Sequence, residues 1–154
     1  VIRVVVTDLA RCPADAVVRP TSRHFDSLVT DSFAPGAAVV TTARGGFAAE
    51  FVIQACIRGE PDQAPTREMV IRAWRAVLQQ ASEWQFPHVA APLLGVDDGP
   101  GALKATDVAD LLVEVLELHR SRSTFPTEVS FVVSTTDERD VIEAALRRAN
   151  ARAS

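Results

Sequence analysis

The sequence predicts an α/β fold built on a mixed, largely parallel sheet, and three observations carry that expectation. In the second half of the chain, stretches with apolar residues at helical spacing alternate with short unbroken apolar runs. The first half supplies strand-like segments with almost no helical period between them. The length of 154 residues, with 47% hydrophobic and 23% charged residues, suits one packed domain rather than a disordered chain.

Taken in order, Val1–Thr7 is β-branched and apolar, and Ala16–Val18 resumes that character after the turn Pro13-Ala14-Asp15. Gly36–Thr42 and Glu50–Ile57 read as strands separated by the hairpin-like break Arg44-Gly45-Gly46. From Thr66 to Trp84 the apolar positions Val70, Ile71, Trp74, Val77, Leu78 and Ala81 form one stripe at helical spacing, with Thr66 as N-cap. Val89–Leu94 is nearly all apolar, as a central strand buried on both faces would be. A glycine-bearing loop follows, then a helix on Val108, Leu111, Leu112, Val115 and Leu116 with Thr106 as its expected N-cap. Thr127–Ser134 is the last strand. Thr135 with Glu138 has capping-box spacing for a final helix through Val141, Ile142, Ala145 and Leu146. The helix–strand–helix–strand–helix order implies parallel strands, right-handed crossovers and helices on both faces. One domain over 1–148 is expected, with 149–154 as a frayed tail.

Composition excludes several classes. Sixteen basic against twenty acidic residues give a net charge of −4, which argues against a nucleic-acid partner. No apolar run approaches the ~18 residues of a membrane helix, so no membrane partner is expected. Cys12 and Cys56 are too few for a disulfide framework and lack metal-ligand spacing, so neither a metal nor a cofactor is expected and a cytoplasmic location is the default. The start without Met suggests a processed chain or a piece of a longer protein, with other domains of that chain as possible partners.

Several strings in the right order resemble the macro domain, an ADP-ribose-binding module with a three-layer α/β/α fold. Val6-Thr7-Asp8-Leu9 looks like its strand-end Gly-Asp-Ile, and Asp15-Ala16-Val17-Val18 like its Asp-Ala-Ile-Val. Gly36-Ala37-Ala38-Val39-Val40-Thr41 is similar to Gly-x-Ala-Val-x-Thr, and Phe51-Val52-Ile53-Gln54-Ala55 to Tyr-Val-Ile-His-Ala. Val89-Ala90-Ala91-Pro92-Leu93-Leu94-Gly95 resembles the Ile-Ala-x-Pro-x-Leu-Gly that precedes the second ligand loop. The resemblance spans about Val4 to Ser134 and is weakest between Arg19 and Pro35.

The departures bear on function. The family continues Asp-Ala-Ile-Val as Asn-Ala-Ala-Asn, whose last Asn contacts the distal ribose and serves the hydrolases; here Ser22 stands in its place. The glycine run and helix that would follow are replaced by Arg23–Pro35, which contains no glycine. Gln54 replaces the His of the Tyr-Val-Ile-His string. No residue among Ser134, Thr135 and Thr136 can stack on adenine where the family often places a stacking residue.

By resemblance, Asp8 accepts a hydrogen bond from an adenine amino group, with the Leu9 backbone beside it; a turn or capping carboxylate is the competing reading. Gly95-Val96-Asp97-Asp98-Gly99-Pro100-Gly101 lies between a strand and a helix, where backbone N–H groups can approach a phosphate. Asp97 and Asp98 oppose that use, since like charges 4 Å apart repel by about 1 kcal/mol in water. An ordinary acidic turn is the alternative there. Arg19, Arg23 and His24 could replace lost backbone donors or form a solvated loop. His88 and His119 look isolated, and no nucleophile constellation is visible. Trp84, off the apolar stripe, is free to cover a neighbouring element or a partner surface.

The sequence thus points to a divergent macro-like domain that binds ADP-ribose or a related nucleotide diphosphate, with hydrolase activity disfavoured. The site residues expected are Asp8, Leu9, Ser22, Gly95, Val96, Asp97, Asp98 and Gly99. The alternative is an interaction or sensor domain of a larger protein whose ligand pocket has decayed.

Overall fold

The computed structural model describes residues 1–22, 34–43, 45–60, 63–96 and 102–153. Its strands are β1 (Ile2–Val6), β2 (Ala16–Ser22), β3 (Ala38–Thr42), β4 (Phe51–Arg58), β5 (His88–Ala91) and β6 (Glu128–Val133). The helices are α1 (Arg67–Glu83), α2 (Ala105–Arg120) and α3 (Thr136–Ala153), besides a short 3-10 helix over Leu9–Arg11. The six strands form one sheet in the order β1-β6-β5-β2-β4-β3. Every neighbouring pair is parallel except the β3–β4 hairpin, in which Thr42 lies opposite Phe51. The hairpin connection therefore runs over 43–50, wider than the Arg44-Gly45-Gly46 break suggested; Arg44 lies outside the described residues.

Side chains alternate across the strands and separate two apolar clusters. Ala16 and Val18 of β2, Ile53 and Ala55 of β4, Val89 and Ala91 of β5, and Val129 and Phe131 of β6 join buried residues of α1, α2 and α3 in one core. Val17, Val52, Ala90 and Val132 point the other way and pack with Cys12 and Ala49. The sequence implied helices on both faces; among the described residues the three α-helices share one face and the 3-10 helix lies on the other. The reason is topological: the β4-α1-β5 and β5-α2-β6 crossovers step the same way across the sheet, so crossovers of one hand land on one side. On the second face the chain runs back from Leu9 toward Asp15, because β1 and β2 are parallel. The hairpin loop joins this layer through the Ala48 N–H, which donates to the Ala10 carbonyl at 2.7 Å. The three layers are therefore a helical layer, the sheet, and a layer whose described part is the 3-10 helix with its flanking loops.

Local signals place most elements. Thr66 caps α1, its hydroxyl accepting from the Met69 N–H at 3.2 Å. The buried stripe of α1 takes Ala73 as well as Val70, Trp74, Val77, Leu78 and Ala81, while Ile71 is only partly buried. Trp74 is fully buried; its indole N–H donates to the Leu112 carbonyl at 2.9 Å and its ring packs on Phe131. Trp84 covers a neighbouring element: half exposed, it stacks on Phe86 and leans on Phe51.

Three expectations are corrected. Thr106 is inside α2 rather than its cap; Lys104 holds the cap position without a side-chain bond. Leu103 sets the entry instead, with its N–H on the Gly95 carbonyl at 2.9 Å and its side chain on the main core. β5 stops at Ala91, short of Leu94, because Pro92 has no N–H to continue the ladder. Finally, α3 remains helical to Ala153, past the Ala149 at which fraying was expected, and Ala149 packs against the core. Thr135 does act with Glu138: the Glu138 N–H donates to Thr135 Oγ1 at 3.2 Å.

Trp74 joins α1, α2 and the sheet. Trp74→Ala should lower stability by about 3–5 kcal/mol in urea titration, by cavity formation and loss of the bond to Leu112.

Candidate functional site

The four-residue β5 lies between longer neighbours. β6 continues two positions past its last β5 partner, from Phe131 opposite Ala91 to Val133. β2 leaves the β5 ladder at Val17 opposite Ala90 and runs on to Ser22. A notch therefore opens above β5 at the carboxyl edge of the sheet. It coincides with the topological switch: β2 pairs onward with β4 on one side, and β5 with β6 on the other. Open α/β sheets place ligands at such a point.

The notch is a cavity of ≈ 490 Å³. Pro92 and Leu93 floor it above β5, Pro20 walls it from β2, and Val132, Val133 and Ser134 wall it from the end of β6. Thr7, Asp8 and Leu9 close it on the β1 side, and Glu138 on the α3 side. Pro20 sits beyond the β5 ladder, where a strand tolerates the missing donor.

Asp8 is held by its own turn. The Thr7 N–H donates to the Val133 carbonyl at 3.0 Å, keeping β1 and β6 together to their ends. Asp8 then takes an extended conformation and caps the 3-10 helix, its Oδ1 accepting from the Ala10 N–H at 3.0 Å. The capping role and the cavity position thus coexist in one side chain, with Oδ1 engaged in the turn. Glu138 is fixed similarly: Ser134 and Thr135 hydroxyls donate to its Oε1 at 2.9 and 3.3 Å. Spacing alone assigns Glu138 only a capping role. Its place in the third residue of a helix that starts at a strand's carboxyl end was the available signal.

Three of the other expected site residues, Ser22, Gly95 and Val96, are described and do not line this cavity. Ser22 ends β2 opposite Arg58, after a register shift at Thr21, and does not line the cavity. Gly95, with φ +85°, turns toward the helical layer: a Cβ there would come within 3.3 Å of Leu103 and Val70. Val96 packs on the same core, and neither residue lines the cavity. Asp97, Asp98, Gly99, Arg23 and His24 lie outside the described residues. Arg19 is exposed on β2. The described lining holds two carboxylates, two hydroxyls and no cationic or aromatic side chain. It offers acceptance of hydrogen bonds rather than neutralisation of phosphate. No group of three or more His, Cys, Asp or Glu among the described residues is arranged to hold a metal ion.

One constellation escaped the sequence. His88 Nε2 lies 2.7 Å from Ser130 Oγ, and His88 Nδ1 lies 3.4 Å from Glu128 Oε2. Alternation on paired strands brings them together, since His88 is opposite Glu128 and Ser130 opposite Ala90. The order resembles a nucleophile, base and orienting acid. However, Ser130 is 2% exposed within a strand paired on both sides, so no acyl group can reach its hydroxyl. The chain of bonds serves the second face. His119 also has a partner, its Nε2 donating to the Phe125 carbonyl at 2.8 Å.

Cys12 lies on that second face, 3% exposed. Burial pushes its thiol pKa up, and the Glu128 carboxylate adds to the shift. The folded state therefore favours the thiol over the thiolate. Its contribution is intact below the unfolded thiol's pKa of about 8.5 and is lost as pH rises through and above it. Native Cys12 should alkylate more slowly than a free cysteine at that pH. Urea titrations at neutral and alkaline pH should show Cys12→Ala losing less stability between the two than the parent chain.

The fold has close solved counterparts. No family model matches the sequence, and no curated protein matches it. Among solved structures, a variant of the Oceanobacillus iheyensis macrodomain with ADPR matches at TM-score 0.75 and 13% identity, over 96% of this chain and 92% of that one. The Trypanosoma brucei macrodomain in complex with ADP-ribose matches at TM-score 0.74 and 12% identity, over 94% of this chain and 68% of that one. The macrodomain of Mycobacterium tuberculosis DarG matches at 0.68 and 16%, over 86% and 96%. With the strand order, the carboxyl-edge cavity and these counterparts together, this chain has the macrodomain fold.

Proposed function

We propose that this chain binds ADP-ribose or a related nucleoside diphosphate at the carboxyl-edge cavity without hydrolysing it. The observation that carries the reading is Asp8, a carboxylate at the end of β1 that lines a ≈ 490 Å³ cavity at the switch point. The macrodomain fold supports it, as do the ligands of the Oceanobacillus and Trypanosoma structures. The amine-bearing base fits the acceptor-rich notch, and the diphosphate belongs outside it, away from Asp8 and Glu138. Absence of hydrolysis rests on Ser22, which replaces the Asn that serves the family's hydrolases and which stands off the cavity. A cytoplasmic location and a single domain belong to the same reading.

Calorimetric titration with ADP-ribose, with ADP and NAD as comparators, tests this. Micromolar binding with ADP-ribose preferred is expected. Asp8→Ala should weaken it roughly tenfold to a hundredfold, the ~1.5–3 kcal/mol of a hydrogen bond to a charged group. Asp8→Asn keeps an oxygen for the Ala10 N–H, so it separates loss of the ligand contact from loss of the turn. No heat and no thermal shift at millimolar ligand would sink the binding reading. The second reading, an interaction domain with a decayed pocket, is favoured by the absence of any cationic or stacking side chain in the described lining.

A further inference from the structure

A second concave surface lies in the helical layer. Arg75, Leu78, Gln79 and Ser82 recur at one-turn spacing along α1, and Val115, Leu118, His119 and Arg122 do so along and just past α2. The stripes face each other across a groove of ≈ 580 Å³. Ser82 and Ser123 close one end with a hydroxyl pair at 2.7 Å. Leu78 and Val115 floor the groove, and Leu118 stands 49% exposed on its rim. Because α1 and α2 run antiparallel to the strands they connect, Ser82 and Arg122 lie toward the amino edge of the sheet, the end opposite the Asp8 cavity.

The charge here is contrary to that of the molecule. The whole chain carries −4, yet the described groove lining has two arginines, one histidine and no carboxylate. His119 is accounted for by its hydrogen bond to the Phe125 carbonyl. Arg75 lies two turns from the end of α1, out of reach of that helix's macrodipole, whereas Arg122 lies just past α2, where the helix C-terminus favours a cation. Neither arginine has a carboxylate partner among the described residues; Glu83, on the same helix as Arg75, instead accepts from the Gln79 and Gln80 amides. A half-exposed leucine between two unpaired guanidinium groups asks for a partner with apolar side chains flanked by carboxylates. Two free arginines on a chain of net charge −4 fall short of a nucleic-acid surface. We infer that the α1–α2 groove docks an acidic amphipathic peptide segment of a partner protein, with Arg75 and Arg122 pairing its carboxylates and the half-exposed Leu118, over a floor of buried Leu78 and Val115, taking its apolar side chain. This site is independent of nucleotide binding.

The test is backbone-amide NMR of the full chain, titrated with a synthetic helical peptide of Leu and Glu at one-turn spacing. Shifts confined to 75–82 and 115–123 are expected, weakened about tenfold or more by the double charge reversal Arg75→Glu with Arg122→Glu. A matched Leu/Gln peptide should bind the parent chain far more weakly, and moderate salt should weaken the Leu/Glu peptide. Any of four results would overturn the inference: no shifts at millimolar peptide, shifts elsewhere, equal shifts with the Leu/Gln peptide, or the same shifts with inorganic phosphate alone. The peptide comparison uses the parent chain, so it holds however the variant folds.

Discussion

Much of this molecule follows from where β5 ends. Pro92 removes the donor that would carry the β5 ladder onward, so the strand stops at Ala91 while β2 and β6 continue on either side. A sheet with equal strands would present a closed edge there. With one short strand at the point where the chain's order reverses, the edge opens into a notch floored by Pro92 and Leu93. The crossovers on either side of β5 depend on the same placement. β4-α1-β5 and β5-α2-β6 both step through this strand and in one direction, which puts α1 and α2 side by side on one face. The helical core and the α1–α2 groove therefore share an origin with the cavity at the other end.

The elements that depend on local chemistry were legible in the sequence. The apolar stripe of α1, the Thr66 cap and the Thr135–Glu138 pair are short-range features, and each lies where its spacing placed it. The elements that depend on tertiary contact were not. Thr106 satisfies the composition of an N-cap, but the entry of α2 is set by Leu103 docking against the Gly95 turn from eight residues away. The apolar run through Leu94 reads as strand because burial alone makes a residue apolar; Leu94 is fully buried in a turn. The Ser130–His88 bond joins residues on different strands, and no one-dimensional spacing reveals it. For the site, Asp8 and Leu9 were legible because a strand end fixes its own edge. Glu138 was hidden because its capping role already explained it.

The two concave surfaces divide the charges of the molecule. At the carboxyl edge the described lining presents Asp8 and Glu138 without a cation; at the other end, Arg75 and Arg122 lie beside exposed apolar surface without a carboxylate. In a parallel sheet the strand ends and the ends of the covering helices are ordered along one axis, so the separation is built into the topology. Both proposals follow this division, a donor-bearing ligand at one end and a carboxylate-bearing partner at the other. Occupancy of one need not exclude the other, since no described residue lines both.

The carboxyl-edge lining also fixes the orientation of anything that enters it. Oδ1 of Asp8 accepts from the Ala10 N–H, and Oε1 of Glu138 accepts from Ser134 and Thr135. These bonds hold both carboxylates in place before a ligand arrives, so little side-chain entropy is lost on binding. Each carboxylate keeps a second oxygen, and those oxygens suit N–H donors while repelling phosphate. Apolar contact comes from prolines, leucines and valines rather than an aromatic face, which leaves a bound base without a stacking partner among the described residues. Selectivity in such a notch rests on the number and direction of donors the base presents. On the proposed reading, a nucleotide leads with its base and leaves its phosphates at the mouth, where their charge is clear of Asp8 and Glu138.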